Sequence, residues 1–476
     1  MLRSMFEQRR WPREAWIPMT AGLGWLWAAT GGAVLFAVGL LPGLLLLGGG
    51  VSTLLWPGDR RISAFTAMGA VLGTLLALLS WPWQGLGFGL LVLLTSAGSF
   101  LAAGFASIRQ AAHVDGVPQP ELSMRLAAEV GLDEAVLGTL QLSLDFPRGD
   151  DAARINREVH AGLEIFAAQG WLEKPRDFHP QPPPLLNPSL ESKQWRGIDY
   201  ERLSFASEYE PHALEPGRDR YLGYAQNRTA EAWVLRHAGE PRPWLVCLHG
   251  FRMGTPGIDL RAFDPRLLHR ELGMNLLVPV LPLHGSRKVG KRSGDRFMDG
   301  DPFDTIHAEA QAMWDIRRML QWIRAAGEPK VGVYGLSLGG YTAALLASIE
   351  IGLACAILGV PLSDMARIFW QHGPRLDLRS LEAMGLHVGD VARMFKVVAP
   401  LDVEPRVVLE GRAIFAGVAD RIVPAALVRD LYEHWERPRS VWYQGAHLTF
   451  GRDPRVAALV RETIESRLSA GPPVHS

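Results

Sequence analysis

The chain has 476 residues, a length that suits about two to four domains. Its 49 Lys and Arg balance its 49 Asp and Glu, so the chain lacks the strongly basic balance that marks nucleic-acid binding, and no nucleic-acid partner is expected. Only two cysteines are present, Cys247 and Cys355, both in short apolar runs. They read as buried thiols, and their spacing suits neither a disulfide-stapled fold nor a zinc site.

The apolar residues are concentrated in the first quarter. Residues 15–58 and 62–108 contain no charged side chain. A span of the hydrocarbon core takes about 20 apolar residues. The second stretch therefore holds two candidates, Ile62 to Leu79 and Leu86 to Ser107, with a turn expected at Trp81-Pro82-Trp83-Gln84. The first stretch is too long for one straight span. Leu41-Pro42-Gly43 is placed to turn a hairpin, which makes it either two short spans or one span with apolar flanks. Arg3, Arg9, Arg10 and Arg13 precede the first stretch, Arg60 and Arg61 separate the two, and Arg109 follows. Four segments put all three basic groups on one side, whereas three segments divide them. Cytoplasmic loops collect Lys and Arg, so four segments are favoured, with the C-terminal part cytoplasmic in a bacterial inner membrane. The apolar run is too long for a cleaved signal peptide. Gly31, Gly32, Gly39 and Gly48-Gly49-Gly50 suit close helix packing. No ionisable residue interrupts the apolar stretches, which argues against an ion or proton transporter.

Residues 110–175 show helical spacing, as at Leu122, Leu126, Val130, Leu163 and Phe166. Six prolines between Pro175 and Pro188 then read as a stiff linker. The expected organisation is a membrane region over residues 1–110, a helical connector and linker over 111–190, and a catalytic domain over 191–476.

In that last part short apolar runs alternate with amphipathic ones. Strands are expected at Pro243–Leu248, Asn275–Leu281, Val331–Tyr334, Ala354–Val360, Ala413–Val418 and Val441–Tyr443, with a helix at Thr305–Ala326. Residues 202–207 and 230–236 read as antiparallel strands opening the sheet. The alternation implies an α/β fold, a mostly parallel sheet with helices on both faces.

One strand, Val331 to Tyr334, leads into Gly335-Leu336-Ser337-Leu338-Gly339 and then a helix. A serine that must project from a sharp strand-to-helix turn needs tiny neighbours two residues away on each side. The N–H of Leu338 then points at a developing oxyanion near a helix N-terminus. The bland alternative is a Gly-rich turn whose serine caps the helix.

Cys247-Leu248-His249-Gly250-Phe251 ends an earlier strand, and with the Ser337 turn it resembles the α/β-hydrolase superfamily over residues 200–468. The resemblance implies a second oxyanion donor at the N–H of Phe251 and a small cap over the pocket, here residues 363–399. It implies an acid at Asp420, within Ala416-Gly417-Val418-Ala419-Asp420, with Asp364 as runner-up. It also implies a histidine after the last strand, at His447. His434 lies in a helical run, His372 and His387 in the cap and His475 in the tail, so only His447 follows a strand. The expected triad is Ser337, His447 and Asp420. The loop Leu281 to Lys288 follows a strand on the ligand side. His284 and Arg287 there are candidates to bind an anionic head group or lipid phosphate, or belong to a solvated loop. The segment from His284 through the Ser337 turn is similar to the branch that includes mammalian α/β-hydrolase domain protein 18.

The resulting expectation is a membrane-anchored serine hydrolase cleaving carboxylic esters through an acyl-enzyme, with a small-molecule or lipid ester as substrate, membrane lipid as partner, and no metal or organic cofactor. A peptidase or acyltransferase using the same triad, or a non-catalytic membrane scaffold, are the rival readings.

Overall fold

The apolar first quarter folds into four helices in a computed structural model that describes residues 13–56, 59–239, 241–327 and 329–468. Arg3, Arg9, Arg10 and His475 lie outside the described residues. Contacts gather the chain into two compact units. The first joins residues 13–143 to Gly417–Ala425 and Trp442–Arg452; the second holds 144–416, 426–441 and 453–468. This grouping cuts across the boundaries expected at residues 110 and 190.

In the first unit, α1 (Trp16–Ala28), α2 (Ala33–Leu55), α3 (Arg60–Gln84) and α4 (Leu86–Gln110) run up and down. Three of them, α2 to α4, are long and apolar enough to cross a membrane. At about 1.5 Å per residue their lengths exceed a hydrocarbon core of about 30 Å, which the 13-residue α1 does not. Glycines set the close approaches: a methyl on Gly39 would meet the Trp25 carbonyl at 3.0 Å, and one on Gly50 the Ala15 carbonyl at 2.8 Å. Gly32 and Gly48 face open space instead. The outward surface carries Leu23, Trp27, Phe36, Leu44, Leu78, Leu79 and Leu94, all exposed. The Trp25 indole donates to Ser96 Oγ at 3.0 Å, tying α1 to α4 inside the bundle.

Two expected turns move. Pro42 lies inside α2, and the chain reverses instead at Ala29–Gly32, where Gly32 takes φ 127°. Likewise Trp81 to Gln84 stay helical and Gly85, at φ 73°, makes the turn. A proline only removes one hydrogen bond from an apolar helix, whereas a positive φ is open mainly to glycine. Helix α5 (Met124–Ser143) completes the unit, lying against α3 and α4.

The second unit is built on a nine-stranded sheet. Its strands are β1 (Ser189–Trp195), β2 (Ile198–Ala206), β3 (Thr229–Leu235), β4 (Trp244–Leu248), β5 (Asn275–Pro279), β6 (Val331–Leu336), β7 (Leu353–Gly359), β8 (Arg412–Gly417) and β9 (Arg439–Tyr443). Their order is β1-β2-β3-β5-β4-β6-β7-β8-β9. The pairs β1–β2, β2–β3 and β3–β5 are antiparallel; β5–β4, β4–β6, β6–β7 and β7–β8 are parallel. This is the α/β-hydrolase arrangement, with one strand, β1, that the sequence reading missed. Every residue of β4, β5, β6 and β8 is buried, as expected for strands covered on both faces.

Helices α7 (Arg218–Leu222), α8 (Pro256–Ala262), α9 (Pro302–Ala325) and α10 (Leu338–Ile349) link the strands. Asp301 starts α9 by accepting from the N–H of Phe303 at 3.1 Å, with Pro302 at the first helical position. Between β7 and β8 the cap is three short helices, α11 (Met365–His372), α12 (Arg375–Ala383) and α13 (Val388–Phe395). Helix α6 (Gly149–Ala168) buttresses it: Asn156 donates to the Met384 carbonyl at 2.6 Å, and Arg148 pairs with Asp377 at 2.8 Å. After the cap come α14 (Ala425–His434) and α15 (Pro454–Arg467).

The proline-rich stretch is docked rather than a free spacer. Arg317 donates to the Pro180 carbonyl at 2.8 Å and Gln321 to that of Pro182 at 3.2 Å. Phe178 is buried against Phe166, with ring centroids 5.5 Å apart. Proline gives up its N–H but keeps its carbonyl, so such a run still accepts hydrogen bonds along a helix.

Candidate active site

The five parallel strands β5, β4, β6, β7 and β8 end at one edge of the sheet, and the expected nucleophile stands there, directly after β6. Ser337 has φ 56° and ψ −115°, a region that costs a non-glycine residue about 1–3 kcal/mol. The surrounding bonds hold it there. Its N–H donates to the Gly359 carbonyl at 2.9 Å, and its carbonyl accepts from Gly340 at 2.9 Å and Leu362 at 3.2 Å. Its side chain makes no cap hydrogen bond to α10, so the helix-cap alternative does not describe this serine. A methyl on Gly335 would overlap the Gly339 carbonyl, and one on Gly339 the Leu248 carbonyl. Both glycines are therefore required by contact.

The His249-Gly250-Phe251 turn lies beside the serine. A methyl on Gly250 would sit 3.5 Å from Ser337 Cβ. His249 is fully buried and braces the turn: it accepts from the Leu281 N–H at Nε2 (3.1 Å), so its Nδ1–H donates to the Gly250 carbonyl at 2.9 Å. Among the described residues, the backbone N–H groups of Phe251 and Leu338 have no hydrogen-bond acceptor.

His284 and Arg287 are not where an anionic head group would meet them. Arg287 is 1% exposed and its two terminal nitrogens donate inside the protein, Nη1 to Val280 O at 3.0 Å and Nη2 to Asn227 O at 3.1 Å and Asp315 Oδ2 at 2.8 Å. His284 is fully buried, donates from Nδ1 to the Pro282 carbonyl at 2.9 Å and packs against Phe251 and Phe297. Burial first, and then the neighbouring His249, holds its pKa well below the ordinary value. The charge pattern of the loop suits a solvated segment, but the fold turns two of its polar residues inward, His284 against Phe251 and Arg287 onto Asp315. Asp364, the runner-up acid, caps α11 by accepting from the Arg367 N–H at 2.9 Å.

Asp420 and His447 belong to the first unit and meet there. Asp420 Oδ1 accepts from the Val423 N–H at 2.8 Å, and Oδ2 lies 2.7 Å from His447 Nδ1. Both side chains are buried. Burial alone would lower the His447 pKa. The charge and hydrogen bond of Asp420, with the charge of Asp133, outweigh it and raise the pKa above the ordinary value.

Three carboxylates the sequence reading passed over face these loops from α5: Glu129, Asp133 and Glu134, all buried. Their signal was present, since acids at positions i, i+4 and i+5 share the helix face of Leu126 and Val130. Leu122, counted in the same periodicity, precedes the helix and is exposed. Among the described residues no group of three or more His, Cys, Asp or Glu is placed to hold a metal ion.

No family model matches the chain. It is 43% identical over 353 residues to uncharacterized protein MT2702 of Mycobacterium tuberculosis strain CDC 1551, covering 74% of this chain and 84% of the relative. It is 42% identical, over the same shares, to uncharacterized protein Rv2627c of strain H37Rv. The chain belongs to the family of these mycobacterial proteins. Among solved structures, this family member is similar to acetyl xylan esterase from Paenibacillus sp. R4, with TM-score 0.44, 16% identity, and 62% of this chain and 99% of that one covered. It is also similar to Pyrococcus furiosus esterase Pf2001, with TM-score 0.38, 14% identity, and 61% and 98% covered.

Proposed function

We propose that this protein is a membrane-anchored serine hydrolase that cleaves carboxylic esters. The observation that carries the reading is Ser337, held in a strained turn with its hydroxyl unused by the helix it begins. The N–H groups of Phe251 and Leu338 flank it without acceptors, as an oxyanion hole requires. His447, oriented through Nδ1 by Asp420, keeps Nε2 for the serine proton. In the proposed reaction Ser337 Oγ attacks the ester carbonyl, His447 passes the proton to the departing alcohol, and an acyl-enzyme forms. Water, deprotonated by His447, then releases the acid and restores the serine.

Anchoring makes a lipid-like or other apolar ester the favoured substrate. The helix ends support cytoplasmic placement in a bacterial inner membrane. Ala15 approaches Gly50, Thr66 approaches Gly49, and Arg109 pairs with Glu14, so Arg13, Arg60, Arg61 and Arg109 gather at one end of the bundle. A fluorescent protein fused to the C-terminus in a bacterial host would test this; a periplasmic, dark fusion would sink it. The resemblance of the segment from His284 through the Ser337 turn is what supports the branch that includes α/β-hydrolase domain protein 18.

The activity test uses the full-length protein in detergent or lipid with short- and long-chain p-nitrophenyl esters, beside Ser337→Ala. Hydrolysis and fluorophosphonate labelling should both vanish in the variant while the thermal midpoint stays. A wild type that neither hydrolyses nor labels points to the non-catalytic reading.

A further inference from the structure

Helix α5 belongs by sequence to the segment after the membrane helices, yet one of its faces holds both loops of the proposed acid–base pair. Glu129 accepts from Thr449 Oγ1 and from Arg452 Nη1, each at 3.0 Å. Glu134 accepts from Arg421 Nε at 2.7 Å. Between them, Asp133 is fully buried and receives two backbone N–H groups on the single oxygen Oδ2, from His447 at 2.8 Å and from Arg421 at 3.1 Å. Arg421 follows Asp420 directly. One carboxylate oxygen therefore ties the backbone beside the acid to the backbone of the histidine. Among the described residues its other oxygen, Oδ1, has no hydrogen-bond partner.

The helix is itself fixed. A methyl on Gly104 of α4 would overlap the Ala127 carbonyl, and one on Gly138 of α5 would meet the Ala64 carbonyl at 2.8 Å. Ile108, Leu126, Ala127 and Val130 share one apolar core with Val418, Ala419 and Ala446 of the two loops. The contacts run from membrane helix to α5 to the acid and histidine loops without a gap.

We propose that Asp133 is a positioning residue that sets the His447 imidazole against Asp420, which makes α5 part of the catalytic apparatus. The inference rests on the reading of Ser337, Asp420 and His447 as a triad. A bare structural strut would affect folding and leave turnover of the folded fraction intact. A positioning residue acts on kcat, because misplacing a catalytic group by about 1 Å can cost about 10²-fold.

The test measures kcat, KM and the rate of fluorophosphonate labelling for full-length wild type, Asp133→Ala, Asp133→Asn and Ser337→Ala, each normalised to folded protein. In Asp133→Ala, kcat and labelling rate should fall at least tenfold with KM within about twofold. Asp133→Asn keeps an oxygen that accepts both N–H groups and should recover most of that loss. If the alanine variant does not fold, Asp133→Glu replaces it, since one extra methylene displaces the acceptor and should lower kcat at unchanged KM. Wild-type turnover in Asp133→Ala or Asp133→Glu, beside an inactive Ser337→Ala, overturns the positioning role alone. A wild type that neither turns over nor labels removes the triad, and the role of Asp133 with it.

Discussion

Nδ1 of His447 lies 2.7 Å from Oδ2 of Asp420, and both side chains are shut away from water. In the proposed triad the acid fixes the tautomer of the base, His447, and stabilises the charged ring, so its loss should be felt in turnover. Asp420→Asn is expected to lower kcat by about 10³–10⁴-fold, the order seen when a triad acid is replaced by its amide. The base works only when neutral. Because Asp420 holds the His447 pKa above its ordinary value, kcat/KM should rise with pH through a limb above about 6.5. Removing the carboxylate charge should move that limb to lower pH. A pH–rate profile of both proteins checks both statements, and an unmoved limb would assign the titration to another group.

The serine turn tolerates no added methyl. Gly335→Ala would drive Cβ into the Gly339 carbonyl, and Gly339→Ala into that of Leu248. Neither neighbour is a flexible side chain. Each substitution should destabilise by about 1–3 kcal/mol or more and remove at least nine-tenths of the activity of the folded fraction. Thermal unfolding and fluorophosphonate labelling measure the two effects separately. A fully active, equally stable Gly339→Ala would mean the turn is not built as described.

Arg287 should behave as structure. Replacing it with Met leaves Asp315 buried with, among the described residues, the Ser207 hydroxyl at 2.6 Å as its remaining hydrogen-bond donor. Breaking such a buried pair costs about 3–5 kcal/mol. Denaturant unfolding of Arg287→Met should show a loss of that order. In Arg287→Lys, which keeps the charge but not the fork, anionic and neutral esters should lose activity in equal proportion. A selective loss for anionic esters would restore this residue to substrate binding.

Glu309 on α9 is fully buried against α10, where Thr342 Oγ1 donates to it at 3.0 Å. Burial pushes its pKa up to about 8, with the Thr342 bond only partly opposing. The folded state therefore favours the protonated acid. Its contribution is present in full below the unfolded pKa of about 4.5 and is lost as pH rises towards about 8, on the order of a few kcal/mol. Glu309→Gln should flatten this fall and be the more stable protein at pH 8. Thermal midpoints of the two proteins between pH 5 and 8 would show parallel curves if the carboxyl is ionised throughout.

A chain starting at residue 191 should not hydrolyse esters. It would lack α5, leaving Val418, Ala419 and Ala446 without Leu126, Ala127 and Val130. It would also lack α6 and the docked proline stretch, stripping Arg317 of its Pro180 acceptor. Aggregation or an inactive monomer is the expected outcome of its expression; wild-type kcat in that fragment would show that the residues before 191 are dispensable.

The sequence alone determined the apolar first quarter, the alternation that builds the parallel sheet, the tight Gly335-Leu336-Ser337-Leu338-Gly339 turn, and the candidates Asp420 and His447 beyond strand ends. Those features are local: a period of hydrophobicity, a residue small enough for a turn, a polar residue where a strand stops. The tertiary structure decided where the apolar hairpins turn, because Pro42 can stay inside a helix while Gly32 and Gly85 accept the positive φ of the reversal. It decided that Arg287 faces Asp315 and not solvent, a pairing between residues 28 positions apart. It also brought Asp133 to the backbone of His447, 314 positions away. The helix face that Asp133 shares with Leu126 and Val130 marks it as inward-facing, but no pattern in a single chain names the distant backbone N–H groups it meets there, because that pairing exists only once the two segments are packed together.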